Sequence, residues 1–161
     1  MKLIQRKAME NIAQTLKIAG KRLVFTNGCF DILHVGHVRY LQAARALGDC
    51  LIVGLNSDKS VRVLKGINRP INGEEDRAEV LSALSAVDYV VIFSESTAEE
   101  LVREIQPDVY VKGGDYSVKA LPEAVIVAGY GGKTMLIPEV PGRSSSNIIK
   151  KITDNENNSE Q

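Results

Sequence analysis

Short apolar runs alternate with stretches of helical spacing along most of the chain. The runs are rich in branched aliphatic side chains and bounded by turn residues, which is typical of buried strands. They cover residues 23–25, 51–55, 89–93, 109–111 and 135–137. The stretches between them place apolar residues three and four positions apart, which predicts helices over residues 1–20, 38–47, 74–85, 97–105, 121–128 and 147–152.

The alternation of strand and helix predicts an α/β fold. Strand, helix and strand over residues 23–55 form a βαβ unit, which implies parallel strands joined by a right-handed crossover. Five such strands predict an open parallel five-stranded sheet with helices on both faces, and its ligands at the carboxyl ends of the strands. Residues 59–73 carry Gly66, Pro70 and Gly73 and are predicted to form a mobile loop.

Length and composition bound the domain organisation. A chain of 161 residues suits a single domain, which we predict to span residues 1–152. Within it, the helix over residues 1–20 is expected to pack on the sheet edge or on a partner subunit, and residues 21–152 form the core. Residues 153–161 are uniformly polar and are predicted to be a disordered tail.

Charge and hydropathy argue against several classes of function. Twenty basic and twenty acidic residues cancel, so no global field directs the chain toward nucleic acid or an anionic membrane. The chain shows neither a secretory leader nor an apolar run near the roughly 18 residues that span a membrane, so we expect a cytosolic protein. Cys29 and Cys50 lack the spacing of metal ligands and are interpreted as reduced, buried thiols.

The candidate chemistry centres on residues 26–40, where a strand leads through a loop into a helix. Both histidines of the chain, His34 and His37, stand where this helix begins. Three residues apart on a helix, they can point at the same place, and Gly36 between them lets a bulky group approach the backbone. A helix N-terminus offers free N–H groups and partial positive charge, so this site suits a phosphate group.

A second helix start follows residues 141–143. Ser144, Ser145 and Ser146 are ordinary capping residues, but they also place hydroxyl groups beside free backbone N–H groups, so either capping or phosphate binding explains them. Residues 131–134 read Gly-Gly-Lys-Thr, but a P-loop needs a glycine at Val127 and a following helix. We exclude a P-loop, and no Gly-x-Gly-x-x-Gly fingerprint follows the first strand.

Four motifs in order carry a resemblance to a known family. Residues 28–37, Gly-Cys-Phe-Asp-Ile-Leu-His-Val-Gly-His, resemble the first signature of the cytidylyltransferase-like nucleotidyltransferases, which contains the HxGH motif. Residues 64–70, 112–116 and 144–152 are similar to the heptose 1-phosphate adenylyltransferase branch, and we expect this chain to be its stand-alone form. The resemblance covers residues 21–152. It implies a Rossmann-like sheet and transfer of AMP from ATP to heptose 1-phosphate, giving ADP-heptose and pyrophosphate for lipopolysaccharide core synthesis.

The resemblance also implies roles for individual residues. His34, His37 and Lys65 are expected to be catalytic. Lys65 is the lysine expected to close over the phosphates, and Arg69 is the alternative residue for that role. An arginine at position 77 is expected to help order the phosphate loop. Substrate binding is expected at Asp31, Arg77 and Asp115, and nucleotide binding at Cys29, Phe30, His34, Gly36, His37, Gly113, Arg143, Ser144, Ser145 and Ser146.

The family pattern differs from this chain at one place. Related cytidylyltransferases carry Arg-Thr-Glu-Gly before the last helix, whereas residues 139–142 here are Glu-Val-Pro-Gly, and Arg143 is expected to supply the missing charge. We expect Mg²⁺ to be held through the nucleotide phosphates rather than by a dedicated protein site, and Asp31 to orient the acceptor or the metal. Family members often associate, which favours a homodimer.

Three other functions compete with this assignment. The nearest is cytidylyl transfer to glycerol 3-phosphate or a phosphoalcohol, which the motif at His34 does not separate from adenylyl transfer. A non-catalytic nucleotide-binding module is disfavoured because His34, His37 and Lys65 are all present. A tRNA synthetase fragment is disfavoured by the balanced charge and by the lack of a KMSKS-like loop.

Overall fold

The structure is a computed structural model that describes residues 2–114 and 117–159, with side chains through residue 155. Its strands are β1 (Leu23–Gly28), β2 (Cys50–Asn56), β3 (Tyr89–Phe93), β4 (Val109–Gly113) and β5 (Lys133–Ile137). They form one parallel sheet in the order β3-β2-β1-β4-β5. The predicted five-stranded parallel sheet is confirmed.

The helices flank this sheet and include one that the sequence pattern missed. They are α1 (Arg6–Ile18), α2 (Val35–Arg45), α3 (Asp58–Lys65), α4 (Glu74–Ala83), α5 (Glu99–Ile105), α6 (Pro122–Gly129) and α7 (Ser145–Ser159), with a 3-10 turn at Val118–Ala120. None of them, within the described ranges, is long and apolar enough to cross a membrane.

Helix α3 corrects the prediction of a loop over residues 59–73. Its first turn is capped by Ser57, whose hydroxyl accepts a hydrogen bond from the N–H of Ser60 at 3.3 Å. Asp58 follows in that first turn, where a negative charge is favourable. The helix ends at Gly66, which has a φ of 100°, so the predicted loop is confined to the residues after Lys65.

The last helix also differs from the prediction. We expected it to stop at residue 152 and a disordered tail to follow, but α7 continues to Ser159. The polar residues continue a helix whose beginning includes the half-buried Ile148 and Ile149, so their composition did not by itself end it. Residues 160 and 161 lie outside the described part of the chain.

Two apolar layers enclose the sheet, one on each face. Adjacent residues of β1 point to opposite faces, so Phe25 packs in the layer formed with α1, α5 and α6, while Val24 packs in the layer formed with α2 and α4. Residues before α1 run beside β3, where Ile4 N–H donates to the Val90 carbonyl at 2.9 Å. Of the two predicted locations for the N-terminal helix, the structure shows packing on the sheet.

Candidate active site

The strand order creates a crevice at the carboxyl edge of the sheet. Successive strands run outward from β1 through β2 to β3 on one side, and from β4 to β5 on the other, so the order reverses between β1 and β4. Loops diverge at such a switch point and leave room for a ligand. A cavity of about 270 Å³ lies there, bounded by the loops after β1 and β5, the end of β4 and the N-termini of α2 and α7.

Most of the predicted site residues meet in this cavity. Its lining includes the two histidines, Lys65 and every predicted nucleotide-binding residue: Cys29, Phe30, His34, Gly36, His37, Gly113, Arg143, Ser144, Ser145 and Ser146. Asp31 also lines it, whereas Arg77 and Arg69 do not. Asp115 lies outside the described residues, so its predicted role has no structural account.

The two imidazole rings form a stacked pair at the start of α2. Their centroids are 3.9 Å apart with an interplanar angle of 30°. His34 is the N-cap residue, and its Nδ1 accepts a hydrogen bond from Gly36 N–H at 3.1 Å. Because Nδ1 accepts, the proton of the neutral ring sits on Nε2, which can donate to a ligand.

Gly36 is required by this cap. A Cβ atom at residue 36 would lie 2.8 Å from the ring atoms Cε1 and Nδ1 of His34, and 3.4 Å from Cβ of Arg143. We predicted that the missing side chain lets a ligand approach the backbone. The structure adds a second reason, because the His34 ring itself occupies the space next to residue 36.

His37 is the more buried of the two imidazoles. Its ring lies 5.3 Å from that of Phe30 at 60°. Burial lowers the pKa of His37 to about 4, and the nearby His34 and Lys65 act in the same direction. Its Nδ1 is buried and has no hydrogen-bond partner within the described residues. The ring is therefore neutral near pH 7 and keeps hydrogen-bonding capacity for a ligand.

His34 is less buried and sits between opposite charges. Burial lowers its pKa first, and the guanidinium of Arg143 lowers it further, while the carboxylate of Glu139 acts against both. A bound polyphosphate would add negative charge and favour proton uptake by either ring. The pair can thus donate hydrogen bonds in the free protein and gain positive charge when an anion binds.

The N-terminus of α7 faces the same cavity with hydroxyl groups. Ser144 Oγ accepts from Asn147 N–H at 3.1 Å and caps the helix. Ser145 Oγ donates to the carbonyl of Ile32 at 2.9 Å and joins α7 to the loop before α2. The capping interpretation of these serines is confirmed for Ser144, and phosphate binding by the segment stays a prediction.

Asp31 has a different environment from the one we predicted. Its carboxylate accepts from the N–H groups of Ile71 at 2.8 Å and Asn72 at 2.9 Å, and from Nε of Arg69 at 2.9 Å. Burial opposes ionisation, but these backbone N–H groups together with Arg69 outweigh it and lower the pKa of Asp31. Both oxygens already accept protein donors, so the structure corrects the expected acceptor or metal contact: Asp31 anchors the loop before α4.

The ion pair between Arg69 and Asp31 distinguishes the two candidates for the cation that closes over the phosphates, Lys65 and Arg69. Arg69 is paired with Asp31 and its side chain is only 14% exposed, outside the cavity lining. Lys65 ends α3, is exposed and lines the cavity. Of these two residues, it is therefore Lys65 that is placed to reach a phosphate bound in the cavity.

Arg77 is buried completely rather than placed to bind substrate. Its guanidinium donates to the carbonyls of Cys29 at 2.7 Å, Asn56 at 2.9 Å and Asn72 at 2.9 Å, and to Oδ1 of Asp58 at 2.7 Å. This corrects the predicted substrate contact. The bond to Cys29 agrees with the other expectation, that an arginine here orders the loop after β1.

Some cavity residues had no role in the sequence analysis. Tyr40 lies one turn after His37 on α2, and its hydroxyl bonds Thr26 Oγ1 at 2.6 Å and donates to the Val111 carbonyl at 3.2 Å. The three-residue spacing from His37 was a signal that could have identified it. Asn27, Lys112 and Glu139 also line the cavity.

These features define the chain as an α/β nucleotide-binding protein of the HxGH type. It belongs to the cytidylyltransferase-like family, whose model matches residues 25–152, and it is thus of the nucleotidyltransferase class. It is 56% identical to the bifunctional protein HldE of Wolinella succinogenes over 151 residues, which are 94% of this chain and 31% of that protein. HldE of Geobacter sulfurreducens is 55% identical over 136 residues, 84% of this chain and 28% of that protein. The chain spans about a third of the length of these relatives.

Two solved structures share the fold. The lipopolysaccharide core biosynthesis protein of Thermoplasma volcanium matches with a TM-score of 0.61 at 31% identity, over 75% of this chain and 98% of that one. A pantoate-β-alanine ligase of Francisella tularensis, solved with β-γ ATP and β-alanine, matches with a TM-score of 0.66 over 91% of this chain and 69% of that one. At 18% identity, the second likeness concerns the fold alone.

Proposed function

We propose that this chain transfers AMP from ATP to heptose 1-phosphate, giving ADP-heptose and pyrophosphate as a precursor of the lipopolysaccharide core. The observation that carries the proposal is the stacked pair of neutral imidazoles at a helix N-terminus, open to a cavity that a second helix N-terminus also faces. The HldE relatives and the lipopolysaccharide core biosynthesis protein support the choice of sugar phosphate.

The triphosphate binds along the two helix starts. His34 and His37 donate hydrogen bonds to its oxygens from the α2 side, where free N–H groups and the helix dipole also favour an anion. Ser146 and Arg143 bind from the α7 side. Their positions in the cavity lining support this division of the nucleotide between the two helices.

The reaction is a single in-line displacement. An oxygen of the sugar phosphate attacks the α-phosphorus of ATP, and the bond from that phosphorus to the bridging oxygen breaks as pyrophosphate leaves with its electron pair. A phosphate monoester has a second pKa of about 6, so it is already largely dianionic at neutral pH. No general base is required, and the protein contributes positioning and stabilisation of the developing charge.

Lys65 pairs with the leaving pyrophosphate. Its exposed position at the end of α3 and its electrostatic effect on His37 support this role. Asp31 and Arg77 act indirectly, because Asp31 holds the loop before α4 and Arg77 holds the loop after β1 rather than contacting the nucleotide. The predicted substrate contact of Asp115 remains part of the proposal.

Mg²⁺ enters as the counter-ion of ATP. No group of three or more His, Cys, Asp or Glu side chains that could hold a metal occurs among residues 2–114 and 117–155. The carboxylates of the cavity lining are those of Asp31, whose oxygens already accept protein donors, and Glu139. The donor set therefore fits a polyphosphate better than a bare cation, and a magnesium ion would be held through the phosphates.

Cytidylyl transfer is the second candidate. The family match covers cytidylyltransferase-like proteins generally, and residues 139–142 differ from the Arg-Thr-Glu-Gly of the cytidylyltransferases. That difference favours the adenylyl reaction.

One assay separates the candidates. Pyrophosphate release is measured with four nucleoside triphosphates against heptose 1-phosphate, glycerol 3-phosphate and aminoalcohol phosphates. We expect the highest kcat/KM for ATP with heptose 1-phosphate. A preference for CTP with glycerol 3-phosphate would replace the proposal, and no release with any pair would support a nucleotide-binding module.

Two further predictions concern the oligomeric state of the chain and its location in the cell. The homodimer and the cytosolic location stay predictions. Sedimentation equilibrium measures the first directly, and a single species with the 17.6 kDa mass of one chain would exclude the homodimer.

A further inference from the structure

Lys112 is a cavity residue without an assigned role. It is the fourth residue of β4, in register with Leu136 of β5, and it lines the cavity next to Gly113. The lysine opens the motif of residues 112–116, and no function was predicted for it. Its position at the carboxyl edge of the sheet puts an amine among the groups that face the ligand.

The pKa of the Lys112 amine depends on its burial and on nearby groups that do not bind it directly. Burial lowers the pKa of the amine, while the carboxylate of Glu123 and the thiol of Cys29 act in the opposite direction. Glu123 is 4% exposed, and its carboxylate accepts from Ala98 N–H at 3.0 Å. Within the described residues, the amine makes no hydrogen bond or ion pair, so its three donors are free for a ligand.

The two cavity lysines lie on opposite sides of β1. Strand β2 and the helix that ends at Lys65 are on one side, and β4 with Lys112 is on the other. Lys65 contributes to the lowered pKa of His37, whereas Lys112 has its pKa affected by Cys29, the residue that directly follows β1. In-line displacement needs the entering and leaving groups on opposite sides of the phosphorus. The lysine across from the pyrophosphate side therefore faces the entering group.

We propose that the ammonium group of Lys112 binds the phosphate of the acceptor substrate. This inference rests on the proposed function. One acceptor oxygen forms the new bond to the α-phosphorus as the bond to pyrophosphate breaks, and Lys112 pairs with the other acceptor oxygens without exchanging a proton. The residue thereby selects acceptors that carry a phosphate group and holds that group in line.

The test compares three variants of the full chain. Lys112→Met and Lys112→Gln remove the charge, and Lys133→Met removes a charge from an exposed residue at the opposite end of the neighbouring strand. Pyrophosphate release is measured with ATP and heptose 1-phosphate varied separately. Loss of one charge-assisted hydrogen bond is expected to raise the KM for heptose 1-phosphate on the order of tenfold to a hundredfold, with the KM for ATP unchanged.

The outcomes separate this inference from the proposed function. An increase in the KM for ATP alone, or no change in either KM, overturns the role of Lys112 in an active enzyme. Loss of folding in both Lys112 variants, with Lys133→Met folded by circular dichroism, shows a structural lysine and overturns it as well. No turnover of heptose 1-phosphate by the wild-type chain overturns the proposed function and this inference with it.

Discussion

The N-termini of α2 and α7 face one cavity, but the protein holds them in different ways. At α2 the capping group is the imidazole of His34, stacked on His37 and packed over Gly36. The loop that leads into α2 is fixed from the interior by two buried charged groups, Asp31 and Arg77. This end of the site is part of the folded core.

At α7 the capping group is a serine hydroxyl at the surface. Ser144 caps the helix, and Ser145 links it to the carbonyl of Ile32 in the loop before α2. No buried charge was found to hold this segment within the described residues. The α7 end therefore depends on the α2 end for its position.

The difference indicates that the α2 end and the α7 end of the site have different roles, and this division is testable. Groups that stabilise developing charge must be in place before the reaction, because reorganisation during the reaction cancels their benefit. The rigid α2 end meets this condition, and the exposed α7 end suits binding and release of the nucleotide.

Removal of the guanidinium at Arg77 is expected to have the largest effect. Arg77→Met leaves the carboxylate of Asp58 and the carbonyls of Cys29, Asn56 and Asn72 without their donor. Breaking a buried charged network of this kind costs about 3–5 kcal/mol. Urea unfolding measures the loss in the free energy of unfolding.

The matched control for this variant is an arginine at the surface. Arg103 pairs with Glu100 and Glu99 within α5, where its side chain is 50% exposed. Arg103→Met is expected to change the free energy of unfolding by about 1 kcal/mol or less. Equal losses in the two arginine variants would contradict the interior anchoring of the α2 end.

A methyl group at residue 36 is expected to disturb the imidazole pair. In Gly36→Ala the new Cβ would overlap the His34 ring, and relief of that overlap costs about 1–3 kcal/mol. We expect lower kcat because the ring must leave its capping position. Gly129→Ala, where an added Cβ meets no atom within 4 Å, is the control, and unchanged kcat in Gly36→Ala would show that the cap geometry is not needed.

The stability of the protein is expected to fall between neutral pH and pH 5. His37 has a pKa of about 4 in the folded chain against an ordinary value of about 6.5. The unfolded chain therefore binds more protons in this window, so stability is fully present above pH 6.5 and is lost as the pH falls. The effect is about 1–2 kcal/mol once partial exposure of the ring is allowed for.

The variant His37→Gln isolates this contribution. Urea unfolding at pH 7.5 and pH 5 should show a smaller difference for the variant than for the wild type. Some pH dependence remains, because the pKa of His34 is also lowered. Asp31 does not contribute here, since its pKa lies below the ordinary 3.8 and its stabilisation is lost only at more acidic pH. Identical slopes for the two proteins would contradict a neutral, buried His37.

The smallest effect is expected at the α7 end. Ser144→Ala removes a helix cap worth about 1 kcal/mol, which corresponds to roughly a fivefold change in an equilibrium constant. We expect faster amide hydrogen exchange in the first turn of α7 and an increase of that size in the KM for ATP, with kcat unchanged. A loss of kcat in Ser144→Ala as large as that in Gly36→Ala would contradict the different roles proposed for the α2 and α7 ends.

The parts of the fold that depend on local pattern were predictable from the sequence. Each of the five strands contains a short continuous apolar run and was recognised from it, including β5, which is only partly buried. Helix α3 was missed because it buries little: Val61 is inside, while Val63 is 75% exposed and Leu64 is 50% exposed. A helix without a continuous apolar face resembles a loop when glycine and proline follow it.

The candidate site likewise has a part that follows from local sequence pattern and a part that does not. His34 and His37 are three residues apart, so their pairing follows from helix geometry. Asp31 meets Ile71 forty positions along the chain, and Arg77 meets Cys29 across 48 positions. Contacts of this range depend on how the loops assemble. Both residues were identified from the sequence, and the resemblance gave Arg77 an ordering role beside a substrate contact, but the anchoring by Asp31 was not predicted.

The most direct test of the imidazole pair is a nuclear magnetic resonance titration with MgATP. The chain has two histidines, so the long-range ¹H–¹⁵N spectrum of the ring nitrogens contains signals from these two rings alone. We predict that His37 is neutral at pH 5.5 in the free protein, and that MgATP shifts the signals of both rings. Saturating MgATP that leaves both sets of signals unchanged would contradict the proposal that the paired imidazoles bind the nucleotide.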